Sequence, residues 1–446
     1  MNRVIGRGTP VNALLRAVIG AAVLFLLLPS CGKEQNQEQT VPTITFWHSF
    51  VATTVPALDD LLAEFRREHP GIQINAQYLP TGDGLIQKLV SAVQSGTTPD
   101  VAWVHSDFLD KLVEAGAIYP MREFTEGPQG LTAEALGDFF QPLLEACTVR
   151  DTLYALPMEA TSLALFYNRD LLKESGLDPD RPPATWAELE AATRTLTRDR
   201  DADGRTDVYG FFVPVFPASG ELNIWMNLQW MPFLWQAGGA EMTSDRKRVL
   251  WNSTAGVQAL TLWKTLYDAM DFRSFGIQHD IGFASGRLAM IMDGPWDLPR
   301  FRKLPMKQWA VAPLPAGPAG SATYIAGEQL VIFRQSKLPN EAWTFLRWVT
   351  EPRIQARFSK NSGYLPVRRS VLDMKEYQEF LKTDDAMRVF VDQMRVGRAR
   401  TMVDRHWVEI NRMLAEAIEK ATLGKGDPKA CLDEAVARAN EKLEGE

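Results

Sequence analysis

Trp47-His48-Ser49 and His105-Ser106-Asp107 are the stretches of this sequence best equipped to hold a ligand. An indole offers a flat apolar face. Hydroxyl, imidazole and carboxylate groups replace the hydrogen bonds that a ligand loses with its water. Each stretch ends an apolar run, ITF and VAWV, that reads as a strand. In open α/β sheets ligands bind beyond the carboxyl ends of strands, so both stretches are expected to line a cleft. A third stretch, DRDADGRTD from Asp199 to Asp207, places Asp199, Asp201, Asp203 and Asp207 at positions 1, 3, 5 and 9 and Gly204 at position 6. That is most of a calcium loop, with the Arg205 carbonyl at position 7, but position 12 is Gly210 where a bidentate glutamate belongs. A structural calcium and a hairpin of Asp/Gly turns are the two readings.

Catalytic chemistry has no comparable signature. HExxH, GxSxG and Walker-type runs are absent, and the five histidines have no metal-ligand spacing. No catalytic residue and no required cofactor are expected. A carboxylate pair for glycoside hydrolysis remains the enzymatic alternative.

The 446 residues allow two or three domains, with 46% hydrophobic and 23% charged residues as in ordinary globular chains. A net charge of −7 argues against nucleic acid as a partner. Arg3, Arg7 and Arg16 precede an unbroken apolar run from Ala17 to Leu28. This is the pattern of an export signal, and it is short of the ~20 residues that a spanning helix needs. Leu28-Pro29-Ser30-Cys31 resembles a bacterial lipobox, whose cysteine is lipid-modified and becomes the new N-terminus. Residues 1–30 are then the signal, Cys31 the lipid anchor, and the Gln/Glu/Asn-rich 31–43 a flexible tether. Cys147 and Cys431 are far apart in sequence, and export permits a bridge between them without requiring one.

Strand and helix patterns alternate beyond the tether, which predicts an α/β fold with a parallel sheet covered on both faces. Leu58, Leu61, Leu62 and Phe65 mark one helix, Thr185-x-x-Glu188 a capping box opening another, and 163–168 a strand. Of the thirteen tryptophans, Trp103, Trp186, Trp263, Trp343 and Trp348 occupy apolar core positions. Trp225, Trp230 and Trp235 step by about 140° around a helix, so one or two of them at most reach a cleft, with Trp230 the candidate.

The ordered segments FWHS, FRREHPGI, TPDVAWVH, YALPMEATSLALFYN, DPDRPPATW, FASGRLAMIMDGPW and SGYLPV, following the lipobox, resemble family 1 of the extracellular solute-binding proteins of ABC sugar importers. That group includes the maltose-binding and glycerol-3-phosphate-binding proteins, and the similarity runs from Ile44 to the C-terminus. The resemblance implies a type II periplasmic-binding-protein fold: two discontinuous α/β lobes, 41–157 plus 326–372 and 158–325 plus 373–446, joined by hinge strands. It implies a monomer, anchored to the cell membrane and facing the periplasm or exterior, that delivers ligand to two permease subunits driven by a cytoplasmic ATPase. By position, Trp296 matches a sugar-stacking tryptophan, and Glu159 and Thr161 lie at the crossing between lobes. Tyr364 faces ligand, Gly327 and Glu328 sit at small cleft positions, and Trp407 falls near a cleft aromatic. Aromatic faces with carboxylate and imidazole partners suit a sugar or oligosaccharide. The glycerol-3-phosphate relatives place an arginine where this chain has Val403, with Arg398, Arg400 and Arg405 nearby, so a phosphate ester is the alternative ligand.

Overall fold

The computed structural model describes residues 41–80, 83–127, 129–219, 223–270, 278–304, 308–400 and 406–445. The expected signal, Cys31, most of the tether, Val403 and Arg405 lie outside the described residues.

β1 (Thr43–His48) runs parallel to both of its neighbours, β2 (Gln73–Tyr78) and β3 (Val101–His105). The helix Val55–Glu68 starts after Thr54 with proline in its first turn and buries Leu58, Leu61, Leu62 and Phe65, the stripe that its 3.6-residue periodicity predicts. A short hairpin, β4 (Thr148–Val149) with β5 (Thr152–Leu153), turns through Arg150 and Asp151, both at positive φ. β6 (Leu156–Pro157) and β12 (Glu328–Ile332) complete the sheet in the order β2-β1-β3-β12-β6, so one sheet unites two distant segments of chain. β12 is antiparallel to β3 and β6.

β7 (Thr161–Ser162) and β8 (Ala164–Asn168) lead away from this sheet. β8 lies between β9 (Met290–Asp293) and β10 (Trp309–Ala312) and is antiparallel to both. The strand–helix alternation predicts a parallel sheet here, and the structure corrects it. β9 and β10 rejoin β8 after long insertions, and connections of that length can return a strand in either direction. β11 (Thr323–Ala326) pairs with β7 and with β13 (Gly397–Arg398). β11 and β12 are separated by Gly327 alone, where a Cβ would lie 1.9 Å from the Glu159 carbonyl oxygen. Two chain crossings therefore pass in backbone contact, and only glycine permits it.

The helices Asn223–Gln236, Thr254–Asp268, Trp407–Thr422 and Pro428–Glu444 pack as one cluster. The capping box forms as predicted: Thr185 accepts from the Glu188 N–H and Glu188 accepts from the Thr185 N–H. Cys147 and Cys431 are buried free thiols. Among the described residues no helix is long and apolar enough to cross a membrane.

Candidate ligand-binding cleft

The carboxyl end of β3, the crossing segments and the start of the helix Asn223–Gln236 enclose a cavity of about 250 Å³. Of the residues expected there, Ser49, His105, Ser106, Asp107, Thr161, Trp296, Gly327, Glu328 and Tyr364 line it. Trp103, Trp225 and Gln229 join them, with Tyr324, Ile224 and Leu228 supplying further apolar wall.

Five expected residues stand outside the lining. The Trp47 indole donates to Gln77 at 3.0 Å and lies under Lys88, 5.4 Å from its centroid. His48 is buried among Phe46, Phe50 and Tyr78. Strand alternation explains this pair, because the side chains before Ser49 serve the two faces of the sheet rather than its end. Glu159 lies beneath the cavity, where it accepts from the Trp103 indole at 2.9 Å. Trp230 is wholly buried in its helix cluster. Trp407 is buried under the Arg400 guanidinium, 4.5 Å from its ring centroid.

Trp225 reaches the cavity in place of Trp230. It shares a helix face with Ile224, Leu228 and Gln229, and the five-residue step to Trp230 turns that side chain into the core. The signal available in the sequence was Gln229, a polar residue one turn after Trp225 in a largely apolar helix. It is fully buried, and its amide donates to the Met292 carbonyl at 2.9 Å.

Trp296 is placed by the turn before it. A Cβ on Gly294 would lie 1.9 Å from the Trp296 ring, so the glycine lets the indole fold back over its own backbone.

The charges around the cavity are paired. Arg400 donates to Asp107 at 3.1 Å and to the Asn411 amide oxygen at 2.9 Å, and both members of the ion pair are buried. His105 Nδ1 lies 3.2 Å from Glu328. Burial alone would lower the His105 pKa, but the Glu328 carboxylate outweighs it and holds the imidazole above its ordinary value. Burial acts against the Glu328 carboxylate too, and its bonds to His105 and Glu159 overcome that, keeping it below its usual range. Glu159 is pushed well above the ordinary carboxyl range by burial and by the adjacent Glu328 charge. Of the two carboxyls it is therefore the one that holds a proton more readily. Ser49 Oγ, Thr161 Oγ1 and Gln229 Oε1 are buried and have no hydrogen-bond partner among the described residues. Desolvated polar atoms of this kind are costly unless something bonds to them.

A model of the bacterial extracellular solute-binding proteins matches residues 60–386. The chain belongs to that family. Family members are exported binding proteins, and the fold is the two-lobed type II α/β arrangement of that class. Among relatives, a binding protein of Brucella abortus (strain 2308) is 27% identical over 401 residues, covering 88% of this chain and 90% of the relative. The sn-glycerol-3-phosphate-binding periplasmic protein of Escherichia coli (strain K12) is 25% identical over 423 residues, covering 91% and 93%. In structure, the cyclic alpha-maltosyl-1,6-maltose binding protein of Arthrobacter globiformis superposes with a TM-score of 0.76 at 26% identity, covering 91% of this chain and 100% of that one.

In this solute-binding protein the raised pKa of Glu159 makes a pH-dependent prediction. Its folded pKa is raised, so the stability it lends is complete below the unfolded-state value. That stability is lost as pH rises toward the folded value. Glu159→Gln keeps an acceptor for Trp103 and a donor toward Glu328 without binding a proton. The variant is expected to be more stable than the parent by a margin that grows from pH 5 to pH 8, by at most about 1.4 kcal/mol per pH unit. Urea unfolding at the two pH values measures this, and a constant margin would count against a protonated Glu159.

In the acidic loop the carboxylates accept from local backbone N–H groups. Asp199 accepts from the N–H groups of Ala202 and Gly204, and Asp207 accepts from that of Arg200. Asp201 and Asp203 each cap an N–H two residues on. Carboxylate oxygens of Asp199, Asp201 and Asp207 do come within 4.8 Å of one another, with Asp203 outside the group.

Proposed function

We propose that this chain is the capture subunit of an ABC importer and binds a neutral sugar of one or two rings between its lobes. The observation that carries this reading is the cleft itself. Trp225 and Trp296 present aromatic surface, unpartnered Ser49, Thr161 and Gln229 oxygens await donors, and every described charge in the wall already has a counter-ion. Neutral hydroxyls satisfy such a wall, and a pyranose stacks on indole. The cavity volume suits a short ligand rather than a long oligosaccharide. The cyclic maltosyl-maltose bound by the Arthrobacter protein is likewise a neutral sugar, though of four rings.

The Escherichia coli relative favours glycerol 3-phosphate as a second reading. A phosphate is best held by an uncommitted cation or by exposed backbone N–H groups, and the cations here are committed or turned away. Arg400 is bound to Asp107, His105 is bound to Glu328, and Arg398 is exposed on β13. Ranking neutral sugar first follows from those pairings.

The two lobes correspond to 41–157 plus 326–372 and 158–325 plus 373–446, with ligand closure moving one against the other about the crossings at Glu159–Thr161 and Ala326–Glu328. The chain works as a lipid-anchored monomer held through Cys31 and engages two permease subunits. Cys31→Ser is expected to move the protein from the membrane fraction to the soluble one, and unchanged membrane association would reject the anchor. The Asp199–Asp207 loop serves as a turn without calcium. Dialysis against EDTA is expected to leave Tm unchanged, and a calcium-dependent rise would restore the metal.

The deciding experiment is calorimetric titration of the soluble chain beginning after Cys31 with mono- and disaccharides, longer oligosaccharides and glycerol 3-phosphate with its diesters. Saturable binding of a short sugar is the expected result. Binding confined to the phosphate esters would install the second reading, and reducing ends released on prolonged incubation would make the protein an enzyme.

A further inference from the structure

Behind the two cleft tryptophans lies a cluster that ligand contact does not account for. Asp293 ends β9 with its side chain fully buried. One oxygen accepts from the Gly294 N–H at 2.8 Å, and the other lies 3.0 Å from His279 Nε2. The His279 ring packs against Trp225, with centroids 4.8 Å apart and planes at 32°, and lies 5.4 Å from Phe212. Asp297 is buried, with a carboxylate oxygen within 4.8 Å of Asp293 and of His279. Between Asp293 and Asp297 runs the turn over which Trp296 folds. The amide of Gln229, one turn beyond Trp225, is tied to Met292 immediately before Asp293. Both aromatic walls thus trace back to a single carboxylate.

We infer that Asp297, Asp293 and His279 form a positioning chain that fixes the indoles of Trp225 and Trp296 as a matched pair of stacking surfaces. The inference rests on the cleft reading above and assigns these three residues a role that does not require them to touch ligand. Two buried carboxyls this close cannot both ionise without repelling one another. A proton on Asp297 makes it a donor toward Asp293, whose oxygens also face His279 and the Gly294 N–H. Burial, reinforced by the Asp293 charge, raises the Asp297 pKa to about 9. The other titratable groups near the chain are Tyr364, which senses the Asp297 charge, and the Asp280–Arg300 ion pair beside His279. Burial pushes Tyr364 well above its ordinary value, so it supplies no charge change in the same range. Above about pH 9 Asp297 becomes a second negative charge and ceases to donate, and the chain loses one of its links.

The test needs no ligand, so its failure is separable from failure of the sugar reading. Near-ultraviolet circular dichroism and tryptophan emission of the ligand-free soluble chain are followed from pH 6 to pH 10.5. The parent is expected to show an indole transition centred near pH 9. Asp297→Asn, which keeps a donor and cannot ionise, is expected to match the parent at pH 7 and to lack the transition. Asp297→Leu, which keeps no donor, is expected to show the altered signal at every pH. The double variant Trp225→Phe/Trp296→Phe is expected to lose the transition because it loses the reporting indoles. A parent without the transition, or its persistence in Asp297→Asn or in the double variant, would overturn the inference. So would tight binding of zinc ion at pH 7 that disappears in Asp297→Asn, since the three groups would then be a cation site.

Discussion

Arg400→Ala is expected to destabilise the chain by about 3–5 kcal/mol, the usual cost of stranding one member of a buried ion pair. Arg400 and Asp107 are 2% and 8% exposed, so the carboxylate left behind has little water to turn to. The loss is compounded locally. Asn411 loses the donor to its amide oxygen, and Trp407 loses the cation stacked on its face. Arg400 is thus a clasp between the end of β3 and the C-terminal helices, joining segments 293 residues apart in sequence. Urea unfolding at pH 7 measures the cost. Arg400→Met combined with Asp107→Leu should recover most of it, because apolar groups of similar volume often replace a buried pair at little net cost. A single-variant loss below about 1 kcal/mol would mean that Asp107 is hydrated, as it would be in a cleft standing open.

The clasp also shows where sequence reading stops. Arg400 is visible in the sequence only as one of several arginines ahead of the penultimate helix, where it reads as a candidate phosphate fork. Its partner is 293 residues away, and only the fold brings Asp107 to it. By contrast, the carboxyl end of β3, the glycine turn before Trp296 and the capping box at Thr185 are local features, and each forms as its sequence dictates. Direction in the second sheet is not local, since it depends on where long insertions return their strands. The helix Asn223–Gln236 is apolar on nearly every side, so periodicity does not mark which tryptophan faces ligand. The positioning chain behind the cleft was hidden for a related reason: His279, Asp293 and Asp297 belong to a helix, a strand end and a turn that meet only in space.

Trp296→Ala is expected to weaken sugar binding by about 1–3 kcal/mol, by analogy with aromatic stacking on flat rings. That is roughly 5- to 150-fold in Kd. Trp225→Ala should fall in the same range, because both indoles are partly exposed cavity walls. Neither loss should extend to folding. Trp296 lies against its own turn and Trp225 against His279, so truncation opens the cleft rather than the core. Trp230 provides the opposite case on the same helix. It is fully buried, so Trp230→Ala should cost the fold about 3–5 kcal/mol through the cavity it leaves. Trp230→Phe, which keeps most of the volume, should leave affinity close to that of the parent. Calorimetric affinity and urea stability measured on the same four variants separate these effects. If Trp230→Phe lost affinity while Trp225→Ala kept it, the ligand would be reading the other face of the helix, and the cleft assigned here would be the wrong one.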